Sequence, residues 1–244
     1  MKILGIVPAR AGSKGIPRKN LQLLDGEPLL ARALITAVKS YVLDKIIFSS
    51  DDDEMIKIAN ECDGVEIPFK RPSVLALDDT PIVAVISHLL EWLKLHYQYI
   101  PDAFMLLEPT CPLRTVQDIQ RAVALFIESN KPCLFSVAPP IQHPSDFIYQ
   151  MEAGNWSYCL ARSNDTRGRQ DFKKAWFING AIYLTRTDFF LETKKIYDLD
   201  LSEIYYMGME GVFDVDTPFD LELVQAYVDR VNFFKTENTS CQNS

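Results

Sequence analysis

The 244-residue sequence predicts an α/β fold, a mainly parallel sheet flanked by helices. Short β-branched apolar runs alternate with amphipathic helical stretches, which is the pattern of strand–helix–strand units. The first run, Ile3 to Val7, stops abruptly at a loop rich in glycine and cations. The later runs of the first half also end in polar loops. In open parallel sheets, ligands bind beyond the carboxyl ends of the strands.

The elements follow in order. After the first loop, Glu27 to Lys39 places Leu30, Ala33, Leu34, Ala37 and Val38 on one helical face. Lys45 to Ser50 is a strand ending in hydroxyls. The acids Asp51 to Glu54 suit the start of the next helix better than a metal site, because the helix dipole favours negative charge there. Gly64 to Phe69 is a further short strand, followed by Arg71-Pro72 and Leu75-Ala76-Leu77-Asp78. Thr80 is expected to cap a helix from Pro81 to about Tyr97, with proline at the first position. Phe104 to Leu107 is a buried strand, and a rigid loop, Glu108 to Arg114, leads into a helix from Thr115 to Asn130. From about Pro139 the pattern breaks. Aromatic segments around Phe147–Tyr149 and Trp156–Tyr158 flank Gly154 and read as a hairpin, and a polar loop, Arg162 to Asp171, follows. Residues 140–176 are therefore taken as an inserted element, too small for a core of its own. Phe177 to Leu184 returns to a buried strand. Val212 to Asp216 is a last extended segment, and a helix capped by Thr217 and opened by Pro218 runs to about Phe234. The expected organisation is one domain, 1–234, with a disordered tail at 235–244.

Composition bounds the function. Hydrophobic residues make up 48% and charged residues 24%, which is usual for a soluble globular protein. A net charge of −8 argues against nucleic-acid binding, and no apolar run approaches a membrane span. Five cysteines without paired spacing read as free thiols in a reducing compartment, so a cytoplasmic location is expected. The three histidines have no metal-ligand spacing.

Against that acidic background the first loop stands out. Arg10, Lys14, Arg18 and Lys19 lie within ten residues, with Gly12, Ser13 and Gly15 among them and Asn20 directly after. Glycines allow close approach of backbone N–H groups to a ligand, and cations and hydroxyls complete a polyphosphate site. Asp214 and Asp216 flank one residue, so in extended geometry both carboxylates point to one side, as a Mg²⁺–triphosphate site would use. A pair of this kind by itself also fits a solvated strand end or a helix cap.

The loop is neither a Walker A sequence nor a dinucleotide fingerprint. Pro8 to Asn20 instead resembles the P-A-R-x-G-S-K-G-[IL]-P-x-K-N signature of the acylneuraminate cytidylyltransferase family. Members of that family activate nine-carbon acidic sugars as CMP esters. Asn179-Gly180-Ala181, Arg169-Gln170-Asp171 and Asp214-Val215-Asp216-Thr217 are similar to its N-G-A, R-Q-[DQ] and D-[IV]-D-T segments.

The resemblance implies a Rossmann-like nucleotide-diphospho-sugar transferase fold and attack of a sugar hydroxyl on the CTP α-phosphate. It implies that Arg10, Ala11, Gly12, Ser13, Lys14, Asn20 and Arg71 bind nucleotide, with Arg71 near the cytosine. Arg10, Lys14, Lys19, Asp214 and Asp216 would act in catalysis, the two aspartates holding Mg²⁺. Glu108, Thr110, Arg169, Gln170, Asn179, Gly180 and Ala181 would bind the sugar. The 140–176 element would complete the pocket of a neighbouring chain in a homodimer. The leading substrate is an N-acylneuraminate, with legionaminate and pseudaminate as alternatives. A non-catalytic nucleotide-binding homologue is the reading from another class. The related octulosonate cytidylyltransferases share the reaction, but their opening loop lacks this order. One departure bears on specificity: relatives often carry L-Q-P-T-S-P-L-R where this chain has Glu108 and Cys111.

Overall fold

The computed structural model describes residues 1–13, 15–152, 154–160 and 173–241, with residues 234–241 described as backbone. In chain order the strands and helices are β1 (Ile3–Pro8), β2 (Leu23–Leu24), β3 (Glu27–Pro28), α1 (Leu29–Lys39), β4 (Lys45–Ser49), α2 (Asp53–Asn60), β5 (Val65–Glu66), α3 (Ile82–Tyr97) and β6 (Ala103–Leu106). There follow α4 (Val116–Ser129), β7 (Cys133–Ala138), β8 (Ile148–Gln150), β9 (Trp156–Tyr158), β10 (Phe177–Arg186), α5 (Thr187–Thr193), β11 (Ser202–Tyr206) and α6 (Pro218–Cys241).

The main sheet runs β11-β7-β10-β6-β1-β4-β5. All its neighbours are parallel except β10, which is antiparallel to both β6 and β7. Alternation along β1 sets the layers. Ile3 and Val7 join the core beneath α1, α2 and α4, whereas Leu4 and Ile6 join the core beneath α3 and α5. Period-2 patterning thus buries both faces of a central strand, as a parallel sheet requires. A third, smaller core ties Ile16 and Leu24 to Val215, Val224 and Val228 of the last segment. That core places the end of the chain against the first loop. No helix among the described residues is long and apolar enough to cross a membrane.

Several boundaries differ from expectation. Asp25-Gly26, both at positive φ, turn a small hairpin of β2 and β3, so α1 starts at Leu29 and not at Glu27. Thr80 does not cap α3: its hydroxyl donates to the Val74 carbonyl, and Pro81 occupies the cap position. Only Val65–Glu66 of the expected Gly64–Phe69 strand pairs, at the sheet edge. The segment around Asp214 pairs with no strand among the described residues; a 3-10 turn, Met209–Val212, precedes it. The last helix continues past Phe234 to Cys241, through residues predicted to be a tail. Lys235 to Cys241 contain no proline or glycine to stop it.

Other expectations hold. Asp52 caps α2 by accepting from the Glu54 and Met55 N–H groups. A further feature, not expected from the sequence, is the capping box of Thr115 and Asp118 on α4, worth about 1 kcal/mol. The β8–β9 hairpin forms a separate two-stranded sheet with Ile148, Tyr149 and Trp156 exposed.

Candidate active site

The polar loops at the carboxyl edge of the sheet enclose a cavity of about 360 Å³. β1 delivers its first wall. Ala9 continues the sheet by donating to the Ser49 carbonyl (3.0 Å), and the chain then leaves the sheet. Arg10 reaches Asp78 at 2.5 Å, and the Ala11 N–H donates to Asp51 Oδ1 at 3.1 Å. Arg18, held at φ 52°, pairs with Asp52 and Glu54. The acidic run therefore both caps α2 and clamps the cationic loop. Ile16 anchors the loop in the third core. Gly15 sits so close to the last segment that a Cβ there would lie 2.0 Å from the Asp216 carbonyl oxygen. A short 3-10 turn then presents Lys19, whose ammonium lies 2.7 Å from the Asp216 carboxylate.

The second wall follows β4. Arg71 is buried, and its guanidinium donates to the Ser49 hydroxyl at 3.1 Å and to the Ser49 carbonyl. Burial lowers its pKa to about 10, so it stays charged at neutral pH. A surface role for this arginine is excluded. Leu75, Leu77, Thr80, Ile82 and Val85 supply an apolar side to the cavity that sequence reasoning did not assign. The signal available was the pair of leucines in Leu75-Ala76-Leu77, which belong to none of the three hydrophobic cores described.

The third wall is the end of β6. Glu108, Pro109 and Thr110 line the cavity. Burial, followed by the Asp214 charge, pushes the Glu108 carboxyl up to about 7, with Lys19 and Arg114 opposing. The fully buried Arg114 holds this loop by donating to the Glu108 carbonyl (3.1 Å) and the Ala181 carbonyl (2.7 Å). Cys111 is buried too, with its thiol 3.3 Å from the Asn179 carbonyl; burial raises its pKa, which makes it an unreactive thiol. The four cysteines with described side chains are all free.

The last segment closes the site. Val215 is fully buried and donates its N–H to the Thr110 carbonyl (2.8 Å), so Asp214 and Asp216 flank it on the opposite side. Asp216 lines the cavity. Asp214 is half-buried beside the Thr110 hydroxyl, and burial raises its pKa, with the Asp216 charge adding to the effect. Thr217 and Asp220 cap α6 reciprocally.

The structure thus brings together Arg10, Gly12, Ser13, Lys19, Asn20, Arg71, Glu108, Thr110 and Asp216. Ala11, Asn179, Gly180, Ala181 and Asp214 are not among the lining residues. Asn179 differs most from the expected sugar contact. Its Oδ1 accepts from Ser136 (2.6 Å) and its Nδ2 donates to the Gly211 carbonyl (2.9 Å), leaving it committed to the protein interior. Gly180, at φ 72°, makes the bend beside it. Because β10 is antiparallel, its start and this bend fall at the same sheet edge as the other loops. Lys14, Arg169 and Gln170 lie outside the described residues.

Comparisons with known proteins agree with the expected resemblance. Residues 4–145 match a family described as cytidylyltransferase. A pseudaminic acid cytidylyltransferase of Campylobacter jejuni is 32% identical over 92% of this chain and 95% of its own. A CMP-N,N'-diacetyllegionaminic acid synthase of Legionella pneumophila is 29% identical, again over 92% and 95%. An N-acylneuraminate cytidylyltransferase of Escherichia coli is 31% identical over 91% of this chain, but only 51% of its own. Among solved structures, a CMP:2-keto-3-deoxy-manno-octonic acid synthetase complexed with CTP superposes with a TM-score of 0.65 at 16% identity, covering 94% of this chain and 99% of the other. At that identity the likeness concerns the fold alone.

Proposed function

From its membership of the cytidylyltransferase family, to which this chain belongs, we propose that the protein activates a nonulosonic acid with CTP, giving the CMP-sugar and pyrophosphate. The observation that carries the reading is the composition of the main cavity. Three cations (Arg10, Lys19, Arg71) and two acids (Glu108, Asp216) face one another at the sheet edge, beside an apolar wall suited to a base.

In this reading the sugar hydroxyl attacks the α-phosphorus and pyrophosphate departs, so charge grows on the leaving oxygens. Such transfers depend mainly on positioning and charge stabilisation. Arg10, Lys14, Ser13 and the Ala11–Gly12 backbone hold the triphosphate, and Arg71 and Asn20 hold the nucleoside part. Lys19 orients Asp216. Glu108 and Thr110 face the sugar, with Arg169 and Gln170 reading its carboxylate. Asn179, Gly180 and Ala181 position the β6 loop from behind it.

The residues present fit Mg²⁺. Asp214, half-buried, and Asp216, exposed at the cavity, are two hard oxygen donors that flank Val215. Bound there, Mg²⁺ would neutralise triphosphate oxygens as pyrophosphate leaves. The protein is further proposed to act as a cytoplasmic homodimer, with the exposed β8–β9 hairpin at the contact.

The acid is a neuraminate, a legionaminate or a pseudaminate. The end-to-end matches to pseudaminic and legionaminic acid enzymes put those two level with the neuraminate. Measuring pyrophosphate release with CTP, Mg²⁺ and each acid tests the proposal. One acid should give a kcat/KM well above the others. Absence of release with every acid would return the chain to a non-catalytic nucleotide-binding role.

A further inference from the structure

We propose that Asp78 stands in for the triphosphate in the empty site. It holds Arg10 until CTP arrives, and so sets the affinity for the nucleotide and eases the release of pyrophosphate. This inference rests on the nucleotide reading of the main cavity, to which Asp78 itself contributes no lining.

The loop between β5 and α3 forms one wall of that cavity through Leu75, Leu77 and Thr80. It contains a short 3-10 turn, Ser73–Leu75, and then a turn closed by the Thr80 N–H donating to the Leu77 carbonyl (3.2 Å). Asp78 and Asp79 sit at the centre of that second turn. None of residues 73–80 belongs to the three hydrophobic cores, and Val74 and Leu77 are more than half exposed. With little apolar burial to seat this wall, its polar ties matter more. One of them is the bond from Arg10 to Asp78 at 2.5 Å, which joins the turn to the first loop across 68 positions of sequence.

Arg10 lines the cavity, yet its pair with Asp78 is open to water, the two side chains being 30% and 49% exposed. An ion pair this wet is a weak tie, and a stronger anion can displace it. A triphosphate brings several negative charges and accepts from a guanidinium as a carboxylate does. A second donor of the first loop is occupied in the same way, since the Ala11 N–H donates to Asp51 Oδ1 at 3.1 Å. The two carboxylates come from different loops, and each sits on a donor that a polyanion would use. Asp51 is partly buried after β4, whereas Asp78 is exposed on its turn, so Asp78 is the one that yields. When pyrophosphate leaves, the same carboxylate reclaims Arg10.

Calorimetry of CTP with Mg²⁺, in the absence of any sugar acid, tests this on the full chain and on its Asp78→Asn and Asp78→Ala variants. Both substitutions fall at an exposed position, so the fold should hold. CTP should bind each variant roughly fivefold tighter than wild type at low salt, the upper end for an exposed ion pair. The gain should fade at about 1 M salt, where charges are screened within about 3 Å. Pyrophosphate, followed as a product inhibitor, should tighten by a similar factor. Cytidine, which has no phosphate, should bind all three chains alike. In an Arg10→Gln background the Asp78 substitutions should give no gain, because the two residues then no longer couple. CTP affinity unmoved by either substitution, an equal gain for cytidine, or a gain that survives Arg10→Gln would each overturn the role of Asp78 while leaving the nucleotide site standing. No CTP binding by any of the chains would remove the nucleotide reading itself, and the role of Asp78 with it.

Discussion

Lys19 Nζ and the Asp216 carboxylate meet at 2.7 Å, joining the first loop to the last segment of the site across 197 positions of sequence. The pair matters because Asp216 also lines the cavity, and Asp214 lies two positions before it across Val215. If these two carboxylates hold Mg²⁺, Asp214→Asn and Asp216→Asn should each lower kcat roughly 100-fold at ordinary Mg²⁺, the scale of losing one preorganised electrostatic contact. The fold should survive, since removing one of two neighbouring like charges relieves repulsion. Asp51 is the control. It accepts the Ala11 N–H, a role asparagine can keep, so Asp51→Asn should cost far less. Steady-state kinetics over a Mg²⁺ series decides between them. A dead Asp51→Asn beside a fully active Asp216→Asn would instead place the metal at Asp51, beyond the end of β4.

Lys14 belongs to the cationic loop and is assigned to developing phosphate charge. Lys14→Ala should therefore lower kcat by roughly 100-fold with little change in thermal stability. A folded variant with unchanged turnover would remove Lys14 from the mechanism.

Gly15 tests the packing of the loop on the last segment. A Cβ there would lie 2.0 Å from the Asp216 carbonyl oxygen, a backbone atom that cannot swing away. Gly15→Ala should therefore push the segment outward, costing about 1–3 kcal/mol of stability by overpacking and lowering kcat together with it. Gly12→Ala is the contrast, since a Cβ there meets only the tip of the Arg10 side chain at 4.0 Å. Equal Tm values for the two variants would show that the loop is not seated on Asp216.

Much of this architecture was legible in local pattern. β1 and β4 announce themselves by β-branched runs with immediate punctuation, β6 by an apolar run that ends at Glu108-Pro109, and the starts of α2 and α6 by their acids and by Thr217. What was not legible is tertiary. β7, the short helix α5 and the edge strand β11 lack a distinctive local signature, and their places follow from pairing with β10 and β7. The Arg10–Asp78 pair and the apolar wall of Leu75 and Leu77 depend on a loop folding back, which no periodicity encodes. Asn179 could be recognised as important from its motif. That its amide is consumed by Ser136 and Gly211 required the third dimension.

The hairpin of β8 and β9 bears on assembly. Phe147, Ile148, Tyr149 and Trp156 are all about half exposed or more, an apolar surface on an element without its own core. A homodimer through this face predicts a concentration-dependent mass in sedimentation and complementation between subunits. Mixing an Arg169→Ala chain with a Lys14→Ala chain should restore part of the activity if Arg169 serves the neighbour's pocket. A strict monomer at every concentration, with no recovery on mixing, would reject the arrangement.

Glu108 allows the most quantitative test. Burial, then the Asp214 charge, raises its carboxyl from 4.5 to about 7. Because the folded pKa lies above the unfolded one, the linked stability is fully present below about pH 4.5 and is lost as pH rises towards 7. A rise of that size corresponds to about 3 kcal/mol. Glu108→Gln removes the titration, so the stability of the variant relative to wild type should grow by about that amount between pH 4.5 and 7.5. Denaturant midpoints at several pH values measure it, and parallel profiles would show that the carboxyl is not desolvated. The same group should govern sugar choice. Below pH 7 a protonated Glu108 can donate to a sugar oxygen as glutamine would; above it the carboxylate only accepts, and favours substituents bearing N–H. Glu108→Gln should therefore change the ranking of the three acids most strongly at alkaline pH, with the CTP KM nearly constant. An unaltered ranking at pH 8.5 would leave Glu108 without a role in specificity.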